Sequence, residues 1–295
     1  MIQSKISSKT YSIVLVTYNR VSFLKKLLFA ISEYGWDFSS MIIVDNNSND
    51  GTGEFLASWG EKKGVCVISS STNVGHGAGI AIALQKLESL NNPTDYVLFL
   101  EDDSVPSEAL AKILLNAITT SGYDVISPIG SLVKLGRRVS VNPGKGEIKP
   151  ADFCLLDGAI LRYEAIIKTG LPVTDWFMMV DDYEYCYRLR KKGFKIGIAH
   201  NTFHEILHAG GGGGFTRSTL WRGYYQSRNH VFFLKEHFTL FHLLDFILLQ
   251  GKRFLASFIP RDRFQRLWLR TVGLWHGVTG KKGKTLDPET LRYRK

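Results

Sequence analysis

The sequence predicts an α/β fold: a largely parallel, twisted sheet flanked by helices, followed by an α-helical C-terminal extension. Three observations carry this. Four short apolar runs alternate with longer segments of helical periodicity. Each run ends in polar residues. Beyond five consecutive glycines, Gly210 to Gly214, the chain turns aromatic and basic with helical spacing.

The runs Tyr11–Asn19, Met41–Asn47, Val65–Ser71 and Tyr96–Asp103 are predicted as strands, since strands buried on both faces are continuously apolar. Between and after them, Val21–Tyr34, Thr52–Lys62, Gly79–Leu90 and Glu108–Ser121 place apolar residues three and four apart and are predicted as helices. Asp124 to Asn142, interrupted by Pro128, Gly130 and Gly136, is predicted as strands and loops flanking the sheet. Val180–Lys192 reads as a helix stopped by Gly193. Trp221–His237, Leu240–Phe258 and Arg263–His276 read as helices of the extension. The expected division is residues 1–215 as the ligand-binding and catalytic domain and 216–295 as a helical region packed on it.

With 44% hydrophobic and 22% charged residues, the chain is ordinary globular protein and excludes a disordered class. Cys66, Cys154 and Cys186 are odd in number and show no paired spacing, which argues against a disulfide framework or structural zinc. The N-terminus lacks the apolar core of a signal peptide, and the longest apolar stretch, Leu240 to Ile259, is broken by Asp245, Lys252 and Arg253. A cytoplasmic protein is expected, peripheral on the inner face of the membrane if the extension binds it. A net charge of +10 suits nucleic acid, an anionic membrane or phosphorylated substrates alike.

Ligands of parallel sheets bind beyond the carboxyl ends of the strands. Thr17, Asn19 and Arg20, then Asp45 and Asn46, then Asn73, then Glu101, Asp102 and Asp103 follow the four runs. The acidic triplet reads either as a solvated strand end, with Ser104 or Ser107 capping the next helix, or as a seat for a hard cation such as Mg2+ or Mn2+. Carboxylates at this rim would repel a phosphate backbone, which disfavours a nucleic-acid partner. Asn73–Gly79, NVGHGAG, is a plain strand-to-helix turn or an anion cradle in which Gly75 allows close backbone approach. No Walker motif is present, and no Gly-rich basic loop of a nucleotidyltransferase follows the first run.

VLVTYNR, IIVDNNSNDGT, NVGHGAG and FLEDD, in this order, resemble the inverting family 2 glycosyltransferases of the GT-A fold. The resemblance implies a nucleotide-sugar donor, with Asp45 at the nucleotide and Thr17, Asn19, Arg20, Asn73, Gly75, Glu101 and Asp102 around the donor. It implies Asp103 as a ligand of Mn2+ or Mg2+; Glu101 stands where the family usually has Asp. DWFMMVDDYEYCYRLRKKGF is similar to the family's second acidic motif, aligning Asp181, Asp182, Glu184 and Arg188, with Asp182 as base and Asp181 second. The same charges also complement a helix dipole. The family commonly supplies a histidine to the metal, here His208 or His204. Trp176 is either an acceptor-stacking residue or a core residue.

WRGYYQSRN, Trp221 to Asn229, resembles a segment of galactofuranosyltransferases. That implies galactofuranose from UDP-galactofuranose, moved to a cell-surface glycan of O-antigen type or a polyprenyl-linked acceptor, with rhamnose from dTDP-rhamnose as the alternative. Its aromatics fit a helix packed on the catalytic domain, and Arg228 is expected either there or at a phosphate. Gly210 to Gly214 reads as a lid or a linker. The basic aromatic tail reads as a surface for an anionic membrane or as core-packing helices with a solvated face. A non-catalytic membrane- or nucleic-acid-binding protein is the competing class.

Overall fold

A computed structural model describes residues 9–92, 94–200, 203–206 (backbone only) and 219–293. Its centre is an eight-stranded sheet in the order β3-β2-β1-β4-β11-β6-β12-β9. β1 (Tyr11–Thr17), β2 (Met41–Asp45), β3 (Val65–Ser69) and β4 (Tyr96–Glu101) are parallel. β11 (Ile160–Arg162) lies antiparallel between β4 and β6 (Val125–Ser127), and β12 (Ile196–Ala199) and β9 (Ile148–Ala151) complete the sheet. β10 (Phe153–Cys154), β7 (Gly130–Lys134) and β8 (Arg137–Ser140) form a small second sheet. β5 (Ser104–Pro106) pairs with β13 (Phe203–Ile206).

The side-chain alternation of the strands divides the core into two layers. Ile13, Leu15, Ile43, Leu98 and Leu100 face α1 (Val21–Glu33), α2 (Thr52–Gly60) and α4 (Leu110–Thr120). Val14, Val44, Val97 and Phe99 face α3 (His76–Ser89), α5 (Tyr163–Thr169) and α6 (Asp181–Lys191). Leu24, Leu27, Leu28, Ile42 and Leu98 are wholly buried, each contributing about 2 kcal/mol through apolar burial. The register Thr17↔Asp45, Asp45↔Ser69 and Val16↔Glu101 brings the four strand ends to one rim.

Two expectations change. The region from Asp124 does not merely flank the sheet, because β6 lies inside it between β11 and β12. These strands are three or four residues long, too short for a period to show. α3 starts at His76 rather than Gly79 because Gly75, at φ +93°, makes the turn into the helix. A Cβ on Gly75 would lie 2.0 Å from the Phe177 carbonyl oxygen, so a neighbouring loop of the same chain fills the close approach that only glycine permits.

α7 (Leu220–Glu236), α8 (Leu240–Ala256) and α9 (Arg263–Thr279) form the C-terminal region. Tyr224 and Tyr225 of α7 are fully buried in a cluster with Phe177, Leu269 and Leu286. α9 packs against α7 through Gly273 and Gly277, where a Cβ would lie 2.4 Å from the Tyr224 carbonyl oxygen and 2.7 Å from Val231 Cβ. Among the described residues no helix is long and apolar enough to cross a membrane.

Candidate active site

The rim holds itself together through its own polar side chains. Thr17 Oγ1 donates to Asp102 Oδ2 at 2.7 Å. Arg20 Nη1 reaches Asp102 Oδ1 at 2.9 Å and Asp103 Oδ2 at 2.8 Å, one guanidinium serving both buried carboxylates. Burial raises Asp102 against the pull of Arg20 and Thr17. Asp45, buried at the end of β2, accepts from Ser48 N at 3.0 Å and fixes the turn after it. Asn19 Oδ1 accepts from Asn49 N at 2.8 Å, and Asn73 Oδ1 from Gly75 N at 3.0 Å. Asn46 Oδ1 accepts from Val74 N at 2.9 Å, tying the β2 end to the turn before α3.

Across this rim stands the N-terminus of α6. His76 Nδ1 lies 2.8 Å from Asp181 Oδ2, and its Nε2 lies 3.6 Å from Glu101 Oε1. Burial works against the His76 charge, but Asp181, Glu101 and Asp182 outweigh it and raise the imidazole to about 10, so it stands as a cation between carboxylates. Burial, then the Asp181 charge, raises Asp182 to about 7 against the opposing pull of His76. Asp182 Oδ1 is buried without a hydrogen-bond partner. Asp157 accepts from Glu101 N at 3.0 Å and from Ser104 Oγ at 2.6 Å. Burial and the Glu101 charge raise it, while burial raises Glu101 in turn, against His76.

The loop leading into α6 is strained. Phe177, Met179 and Val180 have φ of +66°, +71° and +70°, the left-handed region that a β-branched residue rarely enters. α7 supplies the clamp: Asn229 Nδ2 donates to the carbonyl oxygens of Trp176, Met178 and Met179 at 3.0, 2.7 and 2.9 Å. Arg228 Nη2 donates to Trp176 O at 2.7 Å. Arg228 is fully buried and does not reach a phosphate; its charge is spent on main-chain carbonyls and Thr285. Trp176, at 1% exposure against Phe232, is a core residue and has no face to offer an acceptor. Arg188 Nε binds Glu184 at 2.6 Å, while its Nη atoms donate to Thr169 O and Leu171 O, so it anchors α6.

Sequence reasoning passed over His76, Asp157 and Arg222. His76 lay in the turn noted only for glycines and Asp157 in the apolar stretch CLLDGAI, where a lone carboxylate was a usable signal. Arg222 of α7 feels the charges of Arg20, Asp103 and Glu101. Its Nε is buried without a partner, and burial followed by Arg20 lowers its guanidinium. It is an under-used cation turned toward the acidic rim.

The donor set fits a hard divalent cation. Glu101, Asp102, Asp103, Asp157, Asp181 and Asp182 influence one another and outnumber the nearby cations Arg20, His76 and Arg222. Ligand atoms of His76, Asp181 and Asp182 lie within 4.8 Å of one another, although the raised His76 serves there as a counterion. His208 and the Gly210 to Gly214 segment lie outside the described residues, as does the His204 side chain. The backbone pairing Ile206↔Ser104 sets the end of β13 beside Asp103.

A half-sheet with a carboxylate rim, faced by an acidic helix N-terminus, is the arrangement of the GT-A fold. Residues 12–147 match the family described as glycosyl transferase family 2. The low-salt glycan biosynthesis hexosyltransferase Agl10 of Haloferax volcanii is 24% identical over 63% of this chain and 63% of its own length. The galactofuranosyltransferase GlfT1 of Mycolicibacterium smegmatis is 22% identical over 62% of this chain and 66% of its own. The matches thus span just under two thirds of these relatives. Among solved structures, TarS of S. aureus (residues 1–349) superposes with a TM-score of 0.58 at 14% identity, over 91% of this chain and 81% of that one. The mannosyltransferase PcManGT of Pyrobaculum calidifontis, in complex with GDP-Man and Mn2+, gives 0.56 at 13% identity, over 93% and 76%. The last two likenesses concern the fold.

Proposed function

We propose that this protein is an inverting, metal-dependent glycosyltransferase that moves galactofuranose from UDP-galactofuranose to a hydroxyl of a cell-surface glycan or lipid-linked acceptor. The observation that carries the reaction is Asp182: a half-buried carboxylate with an unpartnered Oδ1 and a raised pKa, close enough to Glu101 of the rim to raise it. A general base works best when its pKa lies near the working pH. Asp182 takes the acceptor hydroxyl proton onto its carboxylate as the acceptor oxygen attacks the anomeric carbon, and the nucleoside diphosphate leaves from the opposite face of the sugar.

Asp181 is held by His76 beside Asp182. Arg20 fixes Asp102 and Asp103, and Arg222 meets the donor diphosphate. Asp45 and Asn19 shape the turns that receive the nucleotide, with Thr17, Asn73, Gly75 and Glu101 around it. A bound Mn2+ or Mg2+, held by Asp103 with His208 or His204, would offset the charge developing on the leaving diphosphate. The Mn2+ named with PcManGT supports the metal, and the galactofuranosyltransferase relative supports the sugar.

A thermal-shift screen with Mn2+ across UDP, dTDP and GDP sugars, followed by transfer assays on the stabilising donors, tests the reading. UDP-galactofuranose should stabilise and be consumed, with inverted anomeric configuration in the product. Selective stabilisation by dTDP-rhamnose would move the donor, and retention of configuration would overturn the role of Asp182.

A further inference from the structure

We infer that the outer surface of α8, α9 and their connection is a docking face for an anionic lipid bilayer. The inference stands on this surface alone and does not rest on the sugar-transfer reading.

Both helices are fastened on one side and bare on the other. Asp245 of α8 binds Arg138 at 2.8 Å and accepts from Gly136 N at 2.8 Å, with Leu249 and Gln250 buried on the same side. The opposite side shows Leu240, Leu244, Ile247 and Leu255, each exposed. α9 buries Leu269, Gly273, His276 and Gly277 against α7 and exposes Phe264, Trp268, Trp275 and Val278 at spacings of one helical stripe. Between the helices, Phe258 and Ile259 are also exposed. Leu255, Phe258, Ile259, Phe264 and Trp268 keep between 56% and 78% of their surface open. An apolar concentration of this kind marks an interaction surface rather than ordinary scatter.

Charge selects the occupant. From Phe246 to Lys281 the sequence has seven Lys or Arg and one carboxylate, Asp262, which is taken up by Arg266 at 2.6 Å. Arg261 and Arg263 are exposed among the apolar residues. Deeper, Arg270 donates from Nε to Ser257 Oγ at 3.1 Å while its Nη1 is buried with no partner. Burial lowers Arg253 and Arg270 to about 10, helped by Arg270 and Arg138 at the first and by Arg266 at the second. Lipid phosphates pair with the exposed Arg261 and Arg263, and acyl chains receive the apolar residues, with tryptophans at the headgroup level. A second copy seated symmetrically on this face would bring basic elbow against basic elbow.

The test is flotation of the full chain with vesicles of phosphatidylcholine containing phosphatidylglycerol, beside vesicles of phosphatidylcholine alone, with light scattering for mass. Two variants are used, Ile259→Asn with Phe264→Ser, and Arg261→Glu with Arg263→Glu; all four positions are exposed and outside the active site. Wild type should float with the anionic vesicles and show a blue shift of tryptophan emission. Each variant should lose partitioning about tenfold or more while transfer to a short soluble acceptor is kept. Absence of flotation, equal binding to neutral vesicles, or unchanged binding by both variants would overturn the inference. So would a wild-type dimer that both variants dissociate without any vesicle binding, since the covering surface would then be a second copy. Loss of transfer with vesicle binding intact would instead count against the catalytic reading.

Discussion

His76 Nδ1 and Asp181 Oδ2 lie 2.8 Å apart, joining the helix that opens the glycine turn to the helix that carries the acidic pair. Both side chains are mostly buried, so removing one partner leaves the other charge stranded. His76→Gln should lower stability by about 3 kcal/mol and, because the imidazolium opposes the rise of Asp182, push the Asp182 carboxyl further up. The pH–rate profile of the variant should shift to higher pH; an unchanged profile would remove His76 from the electrostatics of the site.

Asp182 is a base only as a carboxylate. Since burial and Asp181 raise it to about 7, kcat/KM should rise with pH toward that region, with bound cation moving the limb to lower pH. Asp182→Asn should cut transfer by about a thousandfold or more while donor affinity, measured by calorimetry, stays within about twofold of wild type. Near-normal turnover of the variant would place the base elsewhere.

The strand ends and acidic pairs were legible because they follow from local rules. Apolar runs stopping at Thr17, Asp45 and Glu101 become a single rim once the strands are parallel and in register. What the sequence could not show was which groups stand opposite one another. Trp176 and Arg228 carry functional-looking chemistry, yet tertiary packing buries both and binds them to each other. His76 and Asp157 gain their meaning only when β4, β11 and α6 converge on Glu101. The lengths of β6, β11 and β12, three or four residues each, left no period to read.

The raised groups also predict how stability depends on pH. Asp157 and Asp182 keep protons in the folded state above their ordinary range, and His76 keeps its proton up to about 10. In each case the folded chain binds more protons than the unfolded one, so these groups make stability fall as pH rises from about 4 toward 10. The Asp182 part should appear as a decline in the metal-free melting temperature between about pH 4 and 7 that is shallower in Asp182→Asn. A decline of equal slope in wild type and variant would show that Asp182 does not titrate there.

Val180 is the last strained residue before the acidic pair, at φ +70°. Glycine there relieves a conformational cost of about 1 kcal/mol or more, so Val180→Gly should not lower the melting temperature on backbone grounds. It should lower kcat, because the loop then no longer dictates where Asp181 and Asp182 stand. Asn229→Ala removes three hydrogen bonds to the same loop and should lower both kcat and stability, by about 2 to 3 kcal/mol. The discriminating measurement is the pair of variants together: if Val180→Gly keeps full kcat, the strain is incidental to catalysis.

Asp103 shares Arg20 with Asp102, so loss of its carboxylate leaves Arg20 paired while taking one hard donor from the rim. Asp103→Asn should therefore fold with a melting temperature near wild type, yet need a much higher Mn2+ concentration to bind donor. A titration of Mn2+ against donor-induced stabilisation separates the two effects, since a merely structural Asp103 would shift the metal-free melt and leave the Mn2+ dependence alone. Treatment of the wild type with chelator should abolish transfer and be reversed by added Mn2+. Full activity in chelator would remove the cation from the mechanism and leave Arg20 and Arg222 to meet the diphosphate.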